Sequence, residues 1–478
     1  MALATIVLPL LFALLAAALP SNRARPALLI PAAAAHLGLS LLAVFSSAGA
    51  SPTSSWLALD APGKLVLLLV SSLFLCCSVY CVGYLSHRRE RSNRVFVACL
   101  LAFLGSASLA AWSRHMGLTW VAIEATTLTT APLIYFNRSK RSIEATWKYL
   151  LVCSVGIALA LLGTFFLAYS ALSAGLAPSM MNDELARQAS GLSKPWLRAA
   201  FVLLLVGYGT KMGLAPMHTW KPDAYGEAPG VAGAIFAGGV TSCAFLALVR
   251  VYRICSAAGE GGYASRLLLG IGLFSMAVAG IFMIGQRDFK RMLAYSSVEH
   301  MSILAVGLGI GGGALYGAML HVATNGLTKG LLFLSAGNIH RAYASKSTDE
   351  VRGALRRLPL SGALFLAGFV AITGSPPFGP FVSMFAILGG AFAGGRALAA
   401  ALFLLFLLVA FAGMGKTTLA VLQGEPPVEA LESPYRDGFL TTAPILALLA
   451  LVLILGLWIP APLDGLVRDA ASYLQARL

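Results

Sequence analysis

The sequence predicts an all-α polytopic membrane protein with about fourteen transmembrane helices, arranged as two inverted five-helix repeats. Three observations point there. Apolar residues make up 58% of the 478-residue chain and charged residues only 11%, where a soluble protein carries about 25%. The apolar residues come in long runs separated by short basic loops. Two of the runs are interrupted by glycine and proline. This balance excludes a soluble enzyme, a disordered chain and a nucleic-acid-binding domain, although the net charge is +15.

The runs lie near 3–19, 28–48, 64–85, 95–112, 117–136, 147–171, 197–217, 229–254, 266–284, 292–310, 314–340, 361–390, 396–421 and 439–459. A bilayer core of about 30 Å takes roughly 20 helical residues, and most runs are that long. The first run has Arg23 and Arg25 behind it and no basic residue ahead. That order is the reverse of a secretory signal, so the run reads as an uncleaved span. Basic residues gather after odd-numbered runs. They are Arg23 and Arg25; Arg88, Arg89, Arg91 and Arg94; Arg138, Lys140 and Arg141; Arg287, Lys290 and Arg291; then Arg341, Lys346, Arg352, Arg356 and Arg357. Those loops are therefore expected in the cytoplasm, with both termini outward.

Two loops and the tail stand apart. Residues 172–196 form a polar outward loop, and 422–438 carry Glu425, Glu429, Glu432 and Asp437 on the cytoplasmic side. Beyond the last span, Leu463, Leu466, Val467, Ala470, Ala471 and Leu474 recur at helical spacing, as in a short helix lying in the membrane interface.

The seven cysteines form no C-x-x-C pair and no His/Cys cluster with metal-ligand spacing. No G-x-G-x-x-G follows a strand pattern as a dinucleotide fingerprint would, and no G-x-x-x-x-G-K-[ST] Walker loop is present. The chain is expected to carry no metal, no catalytic redox group and no cofactor. Energy must then arrive from ions or from partners.

The broken runs come next. Run 7 holds Gly213 and Pro216 near its end, and run 12 holds Gly374, Pro376, Pro377, Gly379 and Pro380 in its middle. Proline removes a backbone donor and clashes with the preceding turn. In a bilayer the freed carbonyls must be satisfied inside the protein. The breaks are five spans apart, which gives the two repeats opposite membrane orientations and points to an ion site between them. The organisation read from this is an N-terminal three-helix segment (1–90), a first five-helix repeat (95–255), a second inverted repeat (266–421), and a last span with an interfacial tail (439–478).

Several ionisable residues sit inside the runs, where each costs about 2.5–3.5 kcal/mol on insertion scales. Glu124 lies in run 5, roughly 21 Å of helix from Arg138. Lys211 stands beside the first break, and Glu299 and His300 lie in run 10. His321, Asn325 and Lys329 share one face of run 11, at i, i+4 and i+8. These groups form a layer at mid-depth suited to carrying protons. A lysine facing a carboxylate holds its proton more firmly than one parted from it, so an opposed Glu–Lys pair is a switch.

Four stretches carry a family resemblance: WVAIEATTL (120–128), KMGLAPMHTWKPDAYGEAP (211–229), QRDFKRMLAYSSVEHM (286–301) and LHVATNGLTKGLLF (320–333). They resemble the antiporter-like membrane subunits of respiratory complex I, multisubunit cation/proton antiporters and membrane-bound hydrogenases. The resemblance covers residues ~95–420. SSVEH (296–300) and EATWKYL (144–150) are most similar to component F of hydrogenase-4-type complexes. The resemblance implies that Glu124 and Lys211 are the family's paired glutamate and lysine, and Lys329 its central lysine of span 11. It also implies three departures. Ser242 stands where span 8 often has a lysine, Asn325 where span 11 often has a histidine, and Met384 where span 12 usually has a lysine or glutamate.

The expected function is that of a proton-translocating subunit of an energy-converting oxidoreductase complex, of hydrogenase-4 type. Its expected partners are other membrane subunits, a peripheral redox module and the lipid of a prokaryotic inner membrane, with no nucleic acid. Glu124, Lys211 and Lys329 would carry the protons, with His321, His300 and Glu299 beside them. One alternative is a non-pumping structural subunit, which the three departures favour. Another is a cation/proton antiporter or proton-driven uptake subunit.

Overall fold

Every predicted run is helical in the computed structural model, which describes residues 1–46, 56–88 and 90–475. Arg89, the end of the run at 28–48 and the last three residues of 439–478 lie outside the described residues. The helices are α1 (Ala2–Ala18), α2 (Leu29–Phe45), α3 (Ala61–Ser86), α4 (Arg94–Trp112), α5 (Met116–Ile134), α6 (Lys140–Leu172), α7 (Asn182–Arg187) and α8 (Lys194–Met212). Then follow α9 (Trp220–Glu227), α10 (Gly230–Ile235), α11 (Thr241–Ala257), α12 (Gly261–Ile284), α13 (Phe289–Ile310) and α14 (Ala314–Tyr343). The chain ends with α15 (Ala354–Arg357), α16 (Pro359–Ile372), α17 (Gly379–Ala393), α18 (Ala397–Leu422), α19 (Val428–Glu432), α20 (Phe439–Leu457) and α21 (Ala461–Ser472). A π-turn, Phe236–Val240, joins α10 to α11 in one continuous span.

Among the described residues, nine spans are long and apolar enough to cross a membrane, and three shorter apolar helices accompany them. The remaining long helices, α5, α8 and α14, are the ones that carry Glu124, Lys211 and Lys329. Lys211 and Lys329 are fully buried among neighbouring helices and Glu124 is half-buried, which lowers the cost of holding them at membrane depth. The chain is a multi-pass membrane protein.

Loops alternate between the two ends of the bundle. At one end Asp223 meets Lys148 at 3.0 Å and also Arg291, while Lys346 bridges Glu227 at 2.6 Å and Asp288 at 3.4 Å. At the other end Asp183 holds Arg114 and Arg253, Asp60 holds Arg250 at 2.8 Å, and Glu260 holds Arg198 at 2.8 Å. Odd and even loops are thus sorted as alternating crossings require.

The two halves repeat one packing pattern. Helix α4 packs on α5, α5 on α6 and α6 on α8; in the second half α12 packs on α13, α13 on α14 and α14 on α16 and α17. Small residues set the closeness. A Cβ on Gly207 would lie 2.6 Å from Gly156 O, so α6 and α8 touch backbone to backbone.

The structure adds three details to the runs. Span 7 is helical to Met212, breaks, and continues as the short helix α9 before span 8 begins. The tail helix α21 packs on α3 and α14, burying Leu466, Val467, Ala470 and Ala471. The acidic loop is tied down: Arg357 donates to Ala430 O, Ser433 O and Tyr435 O, and Asp437 accepts from the backbone of Leu360 and Ser361.

Candidate functional site

The first break opens where Gly213 adopts φ +83°, a left-handed conformation that glycine reaches without strain. The carbonyls freed there are taken up by side chains. Trp220 Nε1 donates to Thr210 O at 2.9 Å, and Lys221 Nζ donates to Met212 O at 2.6 Å. Ser275 Oγ accepts from Ala215 N at 2.8 Å. Pro216 follows and is exposed. The second break turns around Gly374 at φ +79°, with Pro376 and Pro377 exposed; there the backbone takes the carbonyls itself, Gly374 N donating to Ala371 O at 3.2 Å and Ser375 N to Val370 O at 3.2 Å.

Beside the first break, α5, α6 and α8 bring one cluster together. Lys211 is fully buried. Its Nζ donates to Thr127 Oγ1 at 2.5 Å and to Tyr149 OH at 2.9 Å, and lies 4.8 Å from the Tyr149 ring centroid. Thr127 Oγ1 in turn donates to Glu124 Oε2 at 3.0 Å, and Ser154 Oγ donates to Glu124 Oε1 at 3.2 Å. Glu124 and Lys211, the pair implied by the resemblance, thus meet through a hydroxyl and not by direct contact. Thr127 lies three residues after Glu124 on the same helix face and stands between the two charges.

A second cluster sits between α13, α14 and α17. Lys329 Nζ donates to Ser296 Oγ at 2.6 Å, and Glu299 is the carboxylate near enough to act on Lys329 electrostatically. His300 and His321 stack with ring centroids 5.2 Å apart, and His300 Nδ1 meets His321 Nε2 at 3.0 Å. The other nitrogen of His321, Nδ1, meets Ser383 Oγ at 2.8 Å, next to the second break. His300 Nε2 lies 4.0 Å from Glu299 Oε2.

The residues at the three departures behave differently. Ser242 is buried and donates to Gly238 O at 2.8 Å, a turn back on its own span. Met384 packs with Ile387 and Phe403 in an apolar cluster. Asn325 is fully buried, and neither its Oδ1 nor its Nδ2 has a hydrogen-bond partner. Such an amide carries a desolvation cost of about 1–3 kcal/mol unless water reaches it.

Sequence reasoning passed over Lys221, Thr127, Tyr149, Ser296, Ser297 and Ser383. Lys221 lies between the runs at 197–217 and 229–254 and so was not weighed among the intramembrane charges. The signal that would have marked it is its place between Trp220 and Tyr225, a basic residue flanked by large apolar groups. Among the described residues, no group of three or more His, Cys, Asp or Glu side chains is arranged to hold a metal ion.

Comparison with known proteins agrees with this geometry. Residues 113–412 match the family described as NADH:quinone oxidoreductase/Mrp antiporter. A hydrogenase-4 component F homolog from Methylacidiphilum infernorum is 34% identical, covering 86% of this chain and 87% of that protein. NADH-quinone oxidoreductase subunit N from Desulforudis audaxviator is 32% identical, over 78% of this chain and 74% of its own. A chain of respiratory complex I from Thermus thermophilus superposes with a TM-score of 0.79 at 26% identity, covering 96% of this chain and 97% of that one. The broken helices, the buried lysines and these likenesses agree, and the chain belongs to the NADH:quinone oxidoreductase/Mrp antiporter family of membrane subunits.

Proposed function

We propose that this subunit moves protons within a hydrogenase-4-type complex, driven by redox work in a peripheral module that it does not itself contain. The complex sits in a prokaryotic inner membrane, with both termini outward, and the chain's neighbours are other membrane subunits. The proton path runs through Glu124, Lys211 and Lys329, with His321, His300 and Glu299 beyond.

One observation carries the reading: Lys211 and Lys329 are fully buried, yet their nearest hydrogen-bond partners are hydroxyls rather than carboxylates. A hydroxyl accepts from an ammonium and also bonds a neutral amine, so either protonation state keeps a partner. A lysine held only for structure is better served by a direct carboxylate, because a lone buried cation is costly. The hydroxyl of Thr127 supplies a route between Glu124 and Lys211. The unpartnered amide of Asn325 suits water bridging Lys329 toward His321.

The non-pumping alternative draws on Ser242, Asn325 and Met384, none of which is a titratable group. The test is proton uptake by inverted membrane vesicles carrying the whole complex, normalised to redox turnover. Wild type is compared with Glu124→Gln and Lys211→Ala, with assembly checked in the same samples. A fall in both assembled variants supports the path. Unchanged uptake in both makes the subunit a scaffold.

A further inference from the structure

Lys211 and Lys329 lie in separate clusters, and the path proposed above needs a group that joins them. We infer that Lys221, on the short helix after the first break, is the proton carrier linking the two halves. This inference rests on the proposed translocation role.

Lys221 is fully buried, and its surroundings span both clusters. Its Nζ donates to Ser297 Oγ at 3.0 Å and to Ser297 O at 3.3 Å, and the adjacent Ser296 accepts from Lys329. Lys329 is the charged group near enough to act on Lys221 electrostatically, and the Cys153 thiol lies within such range of both Lys221 and Lys211. Toward Lys211, Tyr149 bonds the Lys211 amine while its ring packs 4.9 Å from Trp220, the residue before Lys221. The one serine that span 8 offers nearby, Ser242, has its hydroxyl committed to Gly238 O. The break itself makes room for the side chain. A Cβ on Gly213 would lie 2.4 Å from Lys221 Cδ and 2.9 Å from its Nζ.

The step is a proton transfer and needs no co-reactant. The neutral Lys221 amine gains an N–H bond as one breaks on the Lys211 side. It then loses a proton toward Lys329 through the Ser297 hydroxyl, which accepts one proton and releases another. Two clusters each holding one lysine thereby become a three-lysine row.

The competing account makes Lys221 only a cap for the carbonyl of Met212 at the end of α8. Four variants separate the two in the assembled complex, read as proton uptake per redox turnover. Lys221→Gln and Lys221→Arg keep donors for Met212 O and Ser297 but pass no proton at working pH. Lys221→His retains a transferable proton. We expect uptake to fall at least ten-fold in Gln and Arg and to recover several-fold in His. Wild-type uptake in either Gln or Arg, or an equal fall in all three, overturns the inference. Should neither Gln nor Arg assemble, Ser297→Ala decides. It removes the hydroxyl and leaves the cap, so full uptake overturns the inference and a several-fold fall supports it. Lys211→Ala runs in parallel. If Lys211→Ala leaves uptake unchanged, the translocation reading itself fails. If it abolishes uptake while Lys221→Gln does not, only the linking role fails.

Discussion

Lys211 donates to Thr127 at 2.5 Å, and Thr127 passes the interaction on to Glu124 at 3.0 Å. A hydroxyl, and not direct charge contact, couples the carboxylate to the lysine. Coupling of this kind is breakable without removing either charge. It makes Thr127 the most economical place to probe the path.

Replacing Thr127 with valine removes the hydroxyl and keeps the side-chain shape. Lys211 then retains Tyr149 as its hydrogen-bond partner, and Glu124 retains Ser154. Proton uptake per turnover should fall roughly three- to ten-fold, equivalent to about 0.7–1.4 kcal/mol on the barrier. Thr127→Ser should restore it. Equal uptake by valine and serine variants would remove the hydroxyl from the path.

Asn325 offers a test in which stability and function move in opposite directions. Its buried amide has no protein partner, so Asn325→Leu removes a desolvation cost of about 1–3 kcal/mol. Thermal unfolding of the purified complex should occur at the same or a higher temperature. Proton uptake should nevertheless drop, because a leucine holds no water between Lys329 and His321. Lower stability together with full uptake would show that the amide serves packing only.

Gly213→Ala tests the architecture of the break. A side chain there meets Lys221 Cδ at 2.4 Å, and the backbone stands at φ +83°. Both effects destabilise, together by about 2 kcal/mol or more. The expected readout is a sharp loss of assembled complex on native gels. Gly259→Ala, where φ is +76° and nothing lies within 4 Å of the added Cβ, serves as the control with a milder loss.

Asp183, in the loop between spans 6 and 7, predicts a pH dependence. Burial works against its charge, but hydrogen bonds and attraction from Arg114 and Arg253 outweigh it, and the carboxyl is held below its ordinary value. A carboxyl lowered on folding stabilises above its unfolded value, and that stabilisation is lost as pH falls through the folded one. Limited proteolysis of the 172–193 segment should therefore be slow at neutral pH and quicken only as pH falls below the ordinary aspartate value of about 3.9. Asp183→Asn should cut fast at neutral pH and show little further change on acidification. An unchanged neutral-pH rate in that variant would mean the triad does not order the loop.

Much of this was legible in the chain order. Run length and charge placement sufficed for the crossings, because a bilayer requires about 20 apolar residues and basic loops sort by side. Gly213, Pro216, Pro376 and Pro377 marked both breaks, because the conformational limits of glycine and proline are local. Glu124, Lys211, Lys329, Glu299 and His321 stood out because an ionisable group in an apolar run is conspicuous by itself. Thr127, Tyr149 and Ser383 were not conspicuous, since a hydroxyl in a membrane helix is commonly satisfied by its own backbone. The last helix was read correctly as amphipathic, but the surface it covers, on α3 and α14, was not.

The sequence by itself determined what each residue could carry: which segments cross, where the backbone breaks, and which side chains hold a charge at a cost. Those are properties of one residue or one turn in a fixed solvent. The tertiary structure alone decided who meets whom. It put Thr127 between Glu124 and Lys211, stacked His300 on His321, left Asn325 without a partner, and folded Lys221 back through the first break to Ser297. The physical reason is that these partners lie on different helices. Their distances follow from how closely backbones approach at positions such as Gly156, Gly207 and Gly213, which no single segment encodes.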